Sequence, residues 1–187
     1  MKTILKFILL LQITILMLSA NDKVSLQLLW KHQFEFAGFY VAKAKGFYED
    51  EGLDVTIKEF DFGVNIVNDV MSNKTDIGIG RSSLVLNKLN GIDLVLLSVT
   101  FQSSPYPLLA KERNDLKSVS NFIGKRIMLS DNLESIAAIS SMMKIQNIKE
   151  TDYINVPHSF NIKDLIKDKT DLMTTYISNE PFHLKEK

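Results

Sequence analysis

Residues 30–55 read WKHQFEFAGFYVAKAKGFYEDEGLDV, and this stretch decides the fold. Apolar residues recur at helical spacing over residues 36–45, and Gly46 suits the left-handed position that ends a helix. Residues 53–57 alternate apolar and polar side chains, as do residues 24–29 before the helix, which is typical of strands. A strand, a helix and a second strand in this order predict a βαβ unit with parallel strands.

The alternation of strands and helices continues to the end of the chain, with an interruption at Ser103, Ser104 and Pro105 where the pattern restarts. The sequence therefore predicts an α/β fold made of two α/β lobes with mainly parallel sheets. Ligands of such sheets bind at the carboxyl ends of strands and the amino ends of helices. The later predicted strands or extended segments are 76–80, 94–99, 107–110, 126–129, 153–156 and 172–177. The later predicted helices are 66–71, 84–89, 136–143 and 162–166.

Composition excludes several functional classes. The 187 residues are 45% hydrophobic and 24% charged, which is enough apolar material for a packed core. Basic and acidic residues balance at 22 each, so no basic excess favours nucleic acid or an anionic membrane. The absence of cysteine excludes disulfides, thiolate metal sites and cysteine nucleophiles.

The first 20 residues are typical of an export signal. Lys2 and Lys6 precede an almost wholly apolar run from residue 7 to 18, and a small residue, Ala20, stands before the polar start at Asn21. Cleavage there leaves 20 basic and 22 acidic residues, a net charge of −2. The alternative is an uncleaved membrane anchor, although the run is short for a full span.

With these elements in place, residues 30–55 closely resemble the opening of the thiamine-pyrimidine-synthase-like and sulfonate-binding-like solute-binding proteins. Later segments resemble the same family in the same order, namely DIGIG at 76–80, FQSSP at 101–105, GKRIM at 124–128 and YISNEP at 176–181. The resemblance implies a type II periplasmic-binding fold.

The resemblance also implies how the lobes are connected. The chain would cross between the lobes near 101–105 and 177–181. We expect lobe one at 21–103, lobe two at 104–178, and the start of a return segment at 179–187. Family members continue well beyond the second crossing, so we expect a C-terminally truncated member.

The chain departs from the synthase members of the family. Those enzymes consume an active-site histidine and a bound pyridoxal phosphate, and they carry a cysteine cluster. Phe36 stands where that histidine would align, and Arg81 stands where the cofactor lysine would. We therefore expect no enzyme activity and no cofactor.

The first group of candidate ligand residues follows the first strand. Trp30 could stack on a heterocyclic ligand and His32 could exchange a hydrogen bond with it, or the two could be a surface plug and a solvated loop residue. Phe36 and Gly38 begin a helix whose free N–H groups could hold an oxygen atom of the ligand.

The second group lies at a later helix entrance and at the two proposed crossings. Arg81 could bind a carboxylate, sulfonate or phosphate, while Ser82 and Ser83 could both cap the helix and bind. Amide, hydroxyl and carboxylate groups near the crossings suit an amine-like or pyrimidine-like ligand, although hinge geometry explains them equally well. These residues are Gln102, Ser104, Asn179 and Glu180.

No motif for metal binding or covalent catalysis is present, because the three histidines are widely separated and no phosphate loop or nucleophile elbow occurs. We therefore expect an exported, periplasmic solute-binding protein. It would capture a small polar organic ligand, pyrimidine-precursor-like or sulfonate-like, between its lobes and pass it to the permease of an ABC importer. The alternative is a sensory input domain attached to a membrane signalling module. A pyrimidine-precursor synthase is the least favoured interpretation.

Overall fold

Strands and helices alternate along the chain in the computed structural model, which describes residues 21–130 and 136–185. The predicted export signal lies outside the described residues. The chain divides into two compact units, Met1–Ile79 and Gly80–Lys187.

The first unit contains the βαβ arrangement predicted from residues 30–55. Its strands form a three-stranded parallel sheet in the order β2-β1-β3, in which Val24 pairs with Val55 and Leu26 pairs with both Ile57 and Ile77. A short 3-10 turn, Phe34–Phe36, leads into the first helix. The elements are β1 (Asp22–Gln27), α1 (Ala37–Ala44), α2 (Phe47–Asp50), β2 (Leu53–Lys58), α3 (Ile66–Met71) and β3 (Ile77–Gly78).

Two glycines have distinct roles in this unit. Gly46 adopts a left-handed backbone with φ of 76° directly after α1, which confirms the predicted end of the helix. Gly78 lets α3 pack directly on β3, because a Cβ at that position would lie 2.3 Å from the Ile66 side chain. The alternating apolar residues of β1 and β2 form the core together with Phe36, which is only 4% exposed.

The second unit contains a four-stranded sheet in the order β4-β7-β5-β6, in which only β4 runs antiparallel to its neighbour. In its core, buried side chains of the strands pack with Ile139 and Met143, which are neighbours on one face of the helix Ala137–Ile145. The elements are α4 (Ser83–Leu89), β4 (Leu108–Ala110), β5 (Arg126–Leu129), α5 (Ala137–Ile145), β6 (Ile154–Pro157), α6 (Lys163–Ile166), β7 (Leu172–Thr174) and α7 (Glu180–Lys185).

Mixed α/β architecture with mainly parallel sheets is therefore confirmed. The predicted lobe boundaries stay a prediction. The division between the compact units falls between Ile79 and Gly80 in the sequence, so the helix predicted at 84–89 belongs to the second unit. Within the described ranges, no helix is both long and apolar enough to cross a membrane.

Three details of the predicted elements are wrong. Residues 94–99 form no strand, because their backbone joins no ladder with another described segment and their apolar side chains are mostly exposed. The strand predicted at 172–177 ends at Thr174, and a turn leads into α7. Ser82 stands at the N-cap of α4 but its hydroxyl makes no capping hydrogen bond, since its backbone is already helical.

Candidate functional site

Three aromatic rings meet where β1 and β2 end. Trp30 stacks on Phe60 with ring centroids 5.3 Å apart and planes inclined by 24°. Phe62 meets Trp30 edge-on at 5.9 Å and Phe60 at 5.8 Å, and it is 70% exposed. We call Trp30, Phe60 and Phe62 the aromatic edge. Flat ligands stack on surfaces of this kind.

The aromatic edge is positioned by the pairing of the two strands. β1 and β2 are in register to their last residues, and the Phe60 N–H donates to the Trp30 carbonyl at 3.3 Å just beyond them. The Gln27 side chain is buried and donates to the carbonyl oxygens of Leu28 at 3.2 Å and Glu59 at 3.1 Å. Its amide therefore holds the two strand ends together beneath the rings.

A polar group lies beside the aromatic edge. The His32 N–H donates to the Glu59 carboxylate at 2.9 Å, and the His32 ring contacts the Tyr40 hydroxyl through Nδ1. Burial, with a smaller contribution from the Glu59 carboxylate, raises the pKa of Tyr40, so its hydroxyl stays protonated at neutral pH. This group offers both hydrogen-bond donors and acceptors to a ligand.

The other two candidates of the first unit are Phe36 and Gly38. Phe36 packs in the core with Leu26, Leu28 and Val55, where a ligand has no access. Gly38 is exposed on α1, and a Cβ built there would meet no atom within 4 Å. Ligand contact at Gly38 stays a prediction.

Arg81 packs against an aromatic pair in the second unit. Its guanidinium carbon lies 5.2 Å from the centroid of the Tyr106 ring, and the rings of Tyr106 and Tyr176 are 5.2 Å apart at 65°. Ser82 is exposed, while Ser83 is half-buried at the first position of α4. A guanidinium over an aromatic ring suits recognition of an anion but serves packing as well.

The candidates near the proposed crossings make local hydrogen bonds. Gln102 and Ser104 are exposed, and the Ser104 hydroxyl accepts from the Tyr106 N–H at 3.3 Å. Glu180 accepts from the Tyr176 N–H at 2.8 Å and from the Asn179 side-chain amide at 3.3 Å. These hydrogen bonds order the start of α7, which is a structural role. Ligand binding by Asn179 and Glu180 stays a prediction.

A closed hydrogen-bond network joins the strand ends of the second sheet. The Thr174 hydroxyl accepts from the Ser130 N–H at 2.9 Å and donates to the Met128 carbonyl at 3.2 Å. The Thr174 carbonyl accepts from His158 Nε2 at 2.8 Å, and His158 Nδ1 accepts from the Phe160 N–H at 3.0 Å. Burial lowers the pKa of His158, so the ring is neutral and both its nitrogens are engaged.

The residues present do not fit the cofactor of the synthases that the chain resembles. Pyridoxal phosphate binds those enzymes through a lysine amine, whereas a guanidinium such as that of Arg81 does not form the corresponding imine. Phe36, which stands where the consumed histidine would align, is a buried phenyl ring. Within residues 21–130 and 136–185, no cluster of His, Asp and Glu is arranged to hold a metal ion.

The sequence model of the family described as NMT1/THI5 like matches residues 33–187. The chain belongs to this NMT1/THI5-like family. Residues 30–55 and the later motifs had pointed to it, and the family match confirms that resemblance.

One curated relative of this NMT1/THI5-like chain is the riboflavin-binding protein RibY of Chloroflexus aurantiacus. The two are 27% identical over 174 residues, which are 88% of this chain and 48% of the relative. The chain thus spans about half the length of this relative.

Solved structures with the same fold are periplasmic and ABC-transporter binding proteins. The aliphatic sulphonate binding protein SsuA of Escherichia coli superposes with a TM-score of 0.66 at 15% identity, over 90% of this chain and 58% of that one. A putative L-cystine ABC transporter protein of Listeria monocytogenes gives 0.60 at 14%, over 89% and 74%. These matches confirm the type II periplasmic-binding fold for the NMT1/THI5-like chain.

Proposed function

We propose that the protein is an exported solute-binding protein that captures a small polar organic ligand and delivers it to the permease of an ABC importer. Support comes from the family and from a curated relative named a riboflavin-binding protein. The names of two proteins with the same fold refer to sulphonate binding and to an L-cystine ABC transporter. Position 81 is arginine and not lysine, and the Phe36 side chain is buried in the core. Both observations favour binding over synthase chemistry.

The aromatic edge is the observation that carries the choice of ligand. A stacked indole and phenyl ring beside a histidine, a tyrosine and a carboxylate complements a flat ring with hydrogen-bonding substituents. An aliphatic sulfonate would gain little from the rings and would be repelled by the Glu59 carboxylate. We therefore favour a pyrimidine-like heterocycle over a sulfonate as the ligand.

A thermal-shift series on residues 21–187 tests this proposal. Riboflavin, thiamine, an amino-hydroxymethylpyrimidine, taurine and cystine would be added separately, since a ligand that binds the folded state alone raises the melting temperature. We expect a concentration-dependent rise with a heterocycle and none with taurine. A rise with taurine alone would contradict the choice of ligand, and no rise with any compound would contradict the proposed function.

Replacing Trp30 by alanine tests the position of the ligand. Stacking on an aromatic side chain is worth about 1–3 kcal/mol per ring, so the affinity measured by calorimetry is expected to fall about 5- to 150-fold. Phe47→Ala is the matched control, because Phe47 is a half-exposed aromatic residue on α2 and belongs to no ring cluster named above. Equal affinity of the Trp30 variant and the control would show that the ligand does not touch the aromatic edge.

A further inference from the structure

The end of α4 contains a pair of residues that occurs at one place in the sequence. Asn90 is followed by Gly91, and none of the other asparagines in the chain precedes a glycine. The side-chain amide of an asparagine is open to attack by the backbone nitrogen of the next residue. A glycine at that next position leaves the nitrogen unshielded, because glycine has no Cβ. The pair therefore has a chemistry of its own beside its role as a turn.

Both residues of the pair are exposed where α4 ends. The Asn90 N–H donates to the Leu86 carbonyl at 2.9 Å, which closes the last turn of the helix. Gly91 has a left-handed backbone with φ of 88°, as is typical of the residue that follows a helix. A Cβ built on Gly91 would meet no atom within 4 Å, so water has free access to the turn.

The last turn of α4 is weakly held. The helix has no buried residue, and Val85 and Leu89 are 59% and 77% exposed. The Gly91 N–H donates to the Lys88 carbonyl at 3.1 Å, so this hydrogen bond has to open before the nitrogen is able to attack. The ends of helices with few packing contacts open at little cost in free energy. The fold therefore gives the nitrogen only weak protection.

We propose that Asn90 is a modification site at which the chain deamidates spontaneously. The Gly91 nitrogen forms a bond to Asn90 Cγ, and the side-chain nitrogen leaves as ammonia with the proton of the attacking N–H. The product is a five-membered cyclic imide. Water then adds to one of the two imide carbonyls and breaks its bond to nitrogen, which gives either aspartate or isoaspartate. The reaction needs water and no other reactant.

The modification changes the charge and the backbone at the end of α4. The new carboxylate lies at the C-terminal end of the helix dipole, where a negative charge is unfavourable. The same turn already contains Asp93, whose carboxylate pairs with Lys88 at 2.9 Å. Isoaspartate also lengthens the backbone by one atom between α4 and the exposed residues 94–99. Modification at Asn90 therefore weakens α4 in the folded protein.

Mass spectrometry of the aged protein tests the proposal. The purified protein would be kept at about pH 8 and about 37 °C, and its peptides assayed over time for amide-to-acid conversion and for isoaspartate. Asn73 is the internal control, because it is exposed and left-handed with φ of 58° but precedes Lys74. We expect Asn90 to convert at least about tenfold faster than Asn73, since a lysine side chain shields the following nitrogen. Equal rates at the two sites, or no conversion of Asn90, would overturn the proposal.

The same assay in concentrated urea measures the protection that the fold provides. We expect Asn90 to convert in the folded protein within about tenfold of its rate in the unfolded chain, because the end of α4 opens readily. A folded rate about a hundredfold lower or less would contradict the proposal, since α4 would then protect the site.

Asn90→Gln assigns the isoaspartate to this site. Glutamine has one more methylene group, so the same attack would have to close a six-membered ring and is slower. We expect isoaspartate to disappear from the peptide that contains position 90 and to stay unchanged in the peptide that contains Asn73. Isoaspartate at the wild-type level in the variant peptide would show that another residue is modified, and the proposal would be wrong.

Discussion

Asp171 binds two arginines of the second unit through its carboxylate. Its carboxylate accepts from the Arg126 side chain at 3.0 and 3.1 Å, from the Arg126 N–H at 3.0 Å and from Arg113 at 2.8 Å. The side chain is 11% exposed. The pKa of Asp171 is lowered to about 2, chiefly by the Arg126 guanidinium. The Arg126 backbone N–H and the Arg113 side chain lower it further.

The shift predicts how stability depends on pH. A carboxyl group whose pKa is lower in the folded state stabilises the fold above its unfolded value of about 3.9, and this contribution is lost as the pH falls to about 2. Asp171→Asn is expected to lower the free energy of unfolding at pH 7 by about 2 kcal/mol, with the difference from wild type disappearing near pH 2. Urea denaturation at several pH values measures this.

Asp93→Asn is the control for that series. Asp93 pairs with Lys88 at 2.9 Å, but its side chain is 89% exposed and water screens the pair. The variant is expected to unfold like the wild type at every pH. Similar losses in both variants would mean that net charge, and not the buried network, sets the acid response.

At the scale of elements, residues 94–99 differ most from what their sequence indicates. Val95, Leu96, Leu97 and Val99 are 60–78% exposed. A continuous apolar run is typical of a strand buried on both faces of a parallel sheet. A strand is stabilised by partners on both sides, however, and the described residues supply none here. An exposed apolar segment of this kind favours self-association, because it can pair with the same segment of another copy.

Val95→Lys is expected to leave the melting temperature within about 1 °C of wild type, because the Val95 side chain is already exposed to water. The same change should reduce self-association in sedimentation at high protein concentration, since a charge on an exposed edge opposes strand pairing. Phe47→Lys, at an exposed site on a short helix, should leave sedimentation unchanged. A melting temperature several degrees lower in Val95→Lys would show that the segment is packed.

The same dependence on partners explains which parts of the molecule could be predicted. The strands and helix around residues 30–55 follow from local periodicity, and their bounds agree with the structure within a few residues. Trp30 and His32 were candidates because they follow a strand. Phe60 follows the neighbouring strand, and only the register of β1 with β2 brings it to Trp30. The hydrogen bonds of the Thr174 hydroxyl to Ser130 and Met128 join distant strands, and no local sequence pattern records them.

At the scale of the whole molecule, the balance of charge determines how ligand binding responds to salt. The chain carries 22 basic and 22 acidic residues, so it has no long-range field to attract a charged solute. The groups proposed to contact the ligand are the aromatic edge and the histidine-tyrosine-glutamate group beside it, which act at short range. Interactions at such distances are screened little by salt.

Binding of a heterocyclic solute is therefore expected to be nearly independent of ionic strength, with the dissociation constant changing less than about twofold between about 50 and 300 mM sodium chloride. Calorimetry at three salt concentrations measures this, and Arg81→Gln serves as the comparison because it removes the guanidinium that lies over Tyr106. If affinity falls about tenfold with salt in the wild type and the dependence disappears in Arg81→Gln, the bound group is an anion held by Arg81. The site would then be selective for sulfonates or carboxylates, and the aromatic edge would have a structural role.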